Sequence, residues 1–182
     1  MIFRSLDIVF SFCGLVILSP FFLIIFLLGI LDTGSPFFIQ QRVGIEKKPF
    51  NLIKFRTMSI ETENVASHLA PPANITKLGR VLRKTKLDEL PQLINVLLGS
   101  MSFVGPRPNL FNQLDLINHR STKGVYKVRP GITGLAQINN IDMSTPELLA
   151  KIDDEMIQDM SLVNYFKYIV KTVTGSGSGD AI

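Results

Sequence analysis

Apolar residues run almost without interruption from Ile8 to Leu31, about long enough for one helix to cross a bilayer. Ser19 and Pro20 stand at the centre of that run. A proline inside a helix removes one backbone hydrogen bond and clashes with the preceding turn, while serine can satisfy part of what is freed. Each half is then about a dozen residues, or roughly 17 Å, half of a hydrocarbon core. Hydropathy leaves two structures open. A broken apolar helix is more commonly a kinked span, whereas a re-entrant hairpin would return the chain to the face it entered. Arg4 before the run and Arg42, Lys47 and Lys48 after it give no clear charge asymmetry, which mildly favours re-entry. The run is too long for a cleavable signal, and no small-residue cleavage site follows it.

After a turn at Gly34, Ser35 and Pro36 the period changes. Phe37, Phe38 and Ile39, then Phe50, Leu52, Ile53 and Phe55, flank a polar turn at Gly44 to Pro49, which predicts a short β-hairpin. Arg42, Lys54 and Arg56 are expected to project from it, as edge protection or toward lipid headgroups. Residues 59 to 76 are polar, carry Pro71 and Pro72, and read as a loop, with His68 a surface residue. Leu78, Val81 and Leu82 open a short helix. Leu87, Leu90, Ile94, Leu97 and Leu98 then recur at helical spacing. Asp88 is expected to cap that second helix, in a capping-box-like pair with Thr85. Both acids Asp88 and Glu89 would then point away from its leucine face. The last amphipathic stretch, through Leu162, Phe166, Ile169, Val170 and Val173, is expected to pack against the core, the alternative being the membrane interface.

Composition narrows the partners. The 182 residues suit one domain with its own core, and thirteen phenylalanines accompany no tryptophan. A positive mean hydropathy points toward a membrane for part of the chain. The formal net charge of +4 suits anionic headgroups or a phosphate-bearing substrate. Nucleic acid fits poorly, because the basic residues are scattered among turns with no basic helix and no zinc-ligand spacing. The single Cys13 lies in the apolar run and excludes an internal disulfide or a cysteine metal site. The terminal Gly175, Ser176, Gly177, Ser178, Gly179 tract has the composition of a flexible linker.

Candidate chemistry centres on Asp88 and Glu89, which lie between a basic stretch, Arg83, Lys84 and Lys86, and Pro91. A helix start there also borders a natural phosphate site. Two proline-stiffened turns, Gly105-Pro106-Arg107-Pro108 and Arg129-Pro130-Gly131, would present guanidinium groups with little entropy left to lose, in a form suited to phosphate oxygens. The plainer alternatives are a capping aspartate, a solvated basic face and ordinary turns.

Several long motifs occur in one order. They are FRSLDIVFS at the entry, Ser19 with Pro20, FFIQQRVG followed by KPFNLIKFRTM, LGRVLRKTKLDELPQLINVLLGSMSFVGPRP, and VRPGITGLAQIN. Together they resemble the small monotopic phosphoglycosyl transferases of the bacterial sugar transferase family, which start glycoconjugate assembly on polyprenyl phosphate. The resemblance implies a fold that is α+β and mainly α. Residues 1–33 would form a re-entrant membrane helix broken at Ser19 and Pro20, 34–174 a cytosolic interfacial catalytic domain, and 175–182 a flexible tail. It implies that Asp88 and Glu89 are the catalytic dyad and hold Mg2+. Lys54, Arg56, Arg83, Arg107 and Arg129 match basic positions around the active site, and Gln137 is placed with them as a phosphate-binding residue. The implied partners are a UDP-sugar, polyprenyl phosphate, the lipid bilayer at the cytoplasmic face of a bacterial inner membrane, and a homodimer that the anchor permits. The sequence departs from the family pattern at Lys86, at Ser100, at Asn139-Asn140-Ile141 and after Asp153, none of which touches the dyad.

The implied reaction releases UMP and passes through an aspartyl phosphosugar, with an N-acetylated or deoxy amino sugar expected. Two other readings stand beside it. A glycosyl transferase would release UDP, and a membrane-anchored module would bind acidic lipid or polyprenyl phosphate without catalysis.

Overall fold

The computed structural model describes residues 2–62, 72–175 and 177. Two helices lead the chain, α1 (Ile2–Ile17) and α2 (Ser19–Thr33), bent by 63° at the break between them. The cause of the bend is local. Pro20 has no N–H for the Val16 carbonyl, and the Ser19 hydroxyl donates to that same oxygen at 2.8 Å. The flanking backbone bonds Leu18 N to Gly14 O and Phe22 N to Leu18 O persist, so the chain turns without unravelling. Among the described residues no single helix is long and apolar enough to cross a membrane; the bent pair together is.

The expected hairpin forms from β1 (Phe37–Val43) and β2 (Pro49–Phe55), antiparallel from Phe37 opposite Phe55 to Val43 opposite Pro49. Aromatic rings fix it beneath α2: Phe37 stacks on Phe55 at 5.4 Å, and Phe22 and Phe26 lean on the same pair. The polar stretch that follows is closed at its described ends by a bridge between Met58 and Ile75. His68 and Pro71 lie outside the described residues.

Helix α3 (Lys77–Thr85) starts at Thr76, whose Oγ1 accepts from the Gly79 N–H at 2.8 Å. Gly79 is needed for packing, because a Cβ there would lie 2.0 Å from the Thr57 carbonyl oxygen. The helix ends at Lys86, held at φ 58°. A single 3₁₀ turn, Leu87–Glu89, comes next, and α4 (Gln92–Leu98) begins only after Pro91. The acidic pair therefore precedes this helix instead of opening it. Asp88 does not cap it: Pro91 is the N-cap residue and no side chain caps there. Nor does Thr85 pair with Asp88, since its hydroxyl donates back to Val81 and Leu82 carbonyls.

The prolyl turns contribute a parallel pair absent from the sequence pattern, β3 (Ser102–Val104) beside β4 (Gly131–Thr133). Their close approach depends on Gly105 and Gly131, since a Cβ on Gly131 would sit 2.1 Å from the Gly105 nitrogen. Helices α5 (Leu114–Thr122), α6 (Leu135–Ile138), α7 (Pro146–Gln158) and α8 (Leu162–Val173) close the fold. The α8 face that packs shares Ile169 with the expected one but is built on the tyrosines. Tyr165 and Tyr168 are buried, while Leu162, Val163, Phe166, Val170 and Val173 remain exposed. Tyrosines are chosen because the hydroxyl of Tyr165 meets a buried acceptor, Asp7 on α1, at 2.9 Å. The whole is α+β and mainly helical, as the resemblance implied.

Candidate active site

The turn that carries the dyad is set in place by its apolar neighbours. Leu87 and Leu90 pack on Phe55, Leu82 and Ile25, so the turn is pressed against the hairpin and α2. Asp88 is 3% exposed, which corrects the expectation that both acids face away from the core. A carboxylate so placed is costly unless neighbouring groups compensate it.

Cations reach its neighbour Glu89 from two directions. Along β2, Leu52 and Lys54 share the buried face. Lys54 therefore reaches inward, not to headgroups, and its Nζ meets Glu89 Oε1 at 3.1 Å. Arg107 enters from the Gly105–Pro108 loop, and its Nη2 lies 3.3 Å from the same oxygen. Glu89 is thus held between two cations with its side chain 11% exposed. Its second oxygen makes no hydrogen bond among the described residues.

The Arg107 loop is itself clamped. Arg42, also buried, donates Nη1 to the Pro108 carbonyl at 3.2 Å and Nη2 to the Gln40 side chain. From the other side Arg120, 1% exposed, donates Nη1 to the Arg107 carbonyl at 2.8 Å and to Asn109 Oδ1 at 3.0 Å. Its remaining nitrogens grip Asp153 Oδ2 at 2.7 and 2.9 Å. Burial pushes the Asp153 carboxyl up, against the pull of the adjoining guanidinium. Arg42, Arg120, Asn109 and Asp153 were missed as site supports. Arg42 was available as a charge on an alternating strand opposite Phe50, but nothing local links Arg120 to a residue thirty-three positions away.

The other anticipated residues divide. Arg83 Nε donates to Thr57 Oγ1 at 2.9 Å, one helical turn before the dyad. Gln137 Nε2 donates to the Gly105 carbonyl at 3.2 Å and so supports the Arg107 loop from behind. Arg56 is held elsewhere. Its guanidinium binds the Ser35 and Phe37 carbonyls at 3.0 and 3.1 Å and lies over the Phe38 ring, tying α2 to the hairpin. Arg129 Nε donates to the Gly99 carbonyl at 2.7 Å, and Arg4 covers Val96 and Leu97 carbonyls at 2.6 and 2.8 Å. Both arginines therefore cap the C-terminal end of α4, whose other end follows the dyad. Ser19 and Pro20 act only at the helix bend.

Among the described residues no three His, Cys, Asp or Glu side chains come together. Magnesium, however, commonly takes one or two carboxylates and completes its shell with substrate phosphates and water. Adjacent Asp88 and Glu89, with one Glu89 oxygen not hydrogen-bonded, fit that requirement.

Residues 1–177 match the family described as bacterial sugar transferase. A sugar transferase of Bacillus subtilis, EpsL, is 42% identical over 144 residues, covering 79% of this chain and 71% of the relative. A UDP-glucose:undecaprenyl-phosphate glucose-1-phosphate transferase of Caulobacter vibrioides is 36% identical, covering 93% and 67%. A UDP-N-acetylgalactosamine-undecaprenyl-phosphate N-acetylgalactosaminephosphotransferase of Aeromonas hydrophila is 33% identical; the match covers 96% of this chain but 44% of the relative. The chain belongs to the bacterial sugar transferase family.

Proposed function

We propose that this transferase moves a phosphosugar from a UDP-sugar to polyprenyl phosphate at the cytoplasmic face of a bacterial inner membrane. The observation that carries the reading is one turn bearing a buried Asp88 beside a Glu89 held by Lys54 and Arg107. Transfer of a phosphoryl group needs positioned positive charge more than elaborate covalent machinery, and the loop clamped by Arg42 and Arg120 supplies it.

In the first step an Asp88 carboxylate oxygen forms a bond to the sugar-bearing phosphorus. The bond from that phosphorus to the bridging oxygen breaks, and UMP departs with the electron pair. Arg107 and Lys54 offset the charge that collects on the phosphate oxygens. In the second step a phosphate oxygen of the polyprenyl phosphate bonds to the same phosphorus, the phosphorus–Asp88 bond breaks, and the carboxylate returns. A magnesium ion held by Asp88 and Glu89 would supply charge neutralisation for the diphosphate.

The acceptor's headgroup lies at the membrane surface while its tail stays in lipid, so the dyad must be held there. The bent α1–α2 pair supports a re-entrant anchor that does this. The named relatives transfer different sugars, glucose 1-phosphate and an N-acetylgalactosamine phosphate, so the donor is best found with a panel.

The test is nucleotide release by detergent-purified protein with magnesium, polyprenyl phosphate and a panel of UDP-sugars. Wild type should release UMP, and intact mass after donor alone should rise by one phosphosugar. Asp88→Asn should lose turnover by about 10³-fold or more and show no adduct, with its thermal unfolding unchanged. UDP release would replace this reading with glycosyl transfer. Full activity of Asp88→Asn would sink the nucleophile.

A further inference from the structure

A cavity of about 250 Å³ lies across the Gly105–Pro108 loop from the dyad. Gly105 lines it, whereas Arg107 and Pro108 line the cleft at Glu89. Its walls include the first two turns of α1, through Arg4 and Asp7, and the approach to β4, through Lys127 and Arg129. The charges there are unevenly used. Arg4 has spent both terminal nitrogens on α4 carbonyls, and Arg129 has spent Nε. The ammonium of Lys127 and the two terminal nitrogens of Arg129 have no hydrogen-bond or ion-pair partner among the described residues. Asp7 is the one carboxylate in the lining, and its Oδ1 already accepts from Ser102, Phe103 N and Tyr165. Three cations against one occupied acid leave a net positive site.

The rest of the lining is apolar, with Phe3, Val104, Met156 and Met160 among it. A small hydrated anion would satisfy the cations and leave those surfaces unfilled. A phosphate carried on an apolar stem would satisfy both. The position of the cavity selects the source. Its wall is the foot of α1, the end of the proposed anchor that would meet the membrane surface. Phe10 of α1 packs edge-on against Phe166 of α8, whose apolar outer face, with Val163 and Val170, is open.

We propose that this cavity holds the phosphate of a bilayer glycerophospholipid, with Lys127 and Arg129 on the phosphate and the acyl stem toward Phe3 and Met160. The inference rests on the membrane-anchored reading given above. It makes a bilayer lipid, distinct from the acceptor, part of the support behind the Arg107 loop.

The test uses the full chain in detergent, titrated with dihexanoyl phosphatidylglycerol and followed by calorimetry. The lipid should bind roughly tenfold or more tighter than inorganic phosphate. Lys127→Glu, a change at an exposed side chain, should weaken it by a further factor of about ten, and Arg129→Lys should weaken it while keeping a donor for Gly99. Asp88→Asn should bind it unchanged. Equal affinity for inorganic phosphate would reduce the cavity to a simple anion site and overturn the proposal. Indifference to Lys127→Glu would place the lipid elsewhere. Competitive displacement by farnesyl phosphate at lower concentration would hand the cavity to the acceptor. The anchor itself is judged separately, by whether wild type stays with membranes through an alkaline carbonate wash.

Discussion

Glu89 separates two roles that adjacent carboxylates could share. One of its oxygens lies between Lys54 at 3.1 Å and Arg107 at 3.3 Å, and the other makes no hydrogen bond among the described residues. Glu89→Gln keeps the shape and one acceptor but removes the charge that opposes those cations. The expected result is a folded protein whose magnesium requirement for half-maximal UMP release rises roughly tenfold or more, while the Asp88 adduct still forms at saturating metal. An unchanged magnesium dependence would remove Glu89 from the metal site. Arg120 gives a contrasting case, since its work is support. A lysine there cannot bind Asp153, Asn109 and the Arg107 carbonyl together, and leaves a buried carboxylate badly paired. Arg120→Lys should lower stability by about 3 kcal/mol or more, measured by denaturant unfolding. The acidic pair itself stood out in the sequence because two acids beside a basic run and Pro91 form a local pattern. The support did not, because Arg120 joins two stretches of chain, the 107–109 loop and Asp153, that nothing local connects.

At the level of elements, the break in the N-terminal apolar run was visible as Ser19 and Pro20, and so was its chemistry. The serine hydroxyl caps the carbonyl that the proline orphans. The hairpin was also visible, from its alternation and its polar turn. Helix α4 was placed too early, because leucine spacing continues through Leu87 and Leu90 although the backbone does not. Lys86 at positive φ and Pro91 divide that period into a 3₁₀ turn and a separate helix. The bend yields a topological prediction. In a chain with Cys13→Ala and Ile2→Cys, the re-entrant anchor should leave the new thiol reactive from the cytoplasmic side. Replacing both Ser19 and Pro20 by leucine restores a continuous apolar helix, and the same thiol should then label from the opposite side. Labelling from one side in both proteins would show that the break does not direct the return.

The whole molecule is joined at Asp7, and this is where the sequence was least legible. Its Oδ1 accepts from Ser102 Oγ, Phe103 N and Tyr165 OH, residues 95, 96 and 158 positions away. One carboxylate thus binds α1 to β3 and to α8, and an acid bordering an apolar run gives no sign of partners so distant. Tyr165 makes the joint measurable. Burial, and then the Asp7 carboxylate beside it, raise the Tyr165 hydroxyl above its ordinary value near 10.0. The folded chain therefore keeps a proton that the unfolded chain releases above that pH. Stability that the neutral hydroxyl provides is present below pH 10 and falls as pH rises beyond it, by about 1.4 kcal/mol per pH unit for one proton. Tyr165→Phe should be less stable at neutral pH by about 1.5–3 kcal/mol, the range for a hydrogen bond to a charged group. Across pH 10 to 11 its stability should fall less steeply than that of wild type. Parallel slopes for the two proteins would mean that the hydroxyl is not held against Asp7, and that α1 is joined to the rest of the fold by α4 and the aromatic contacts alone.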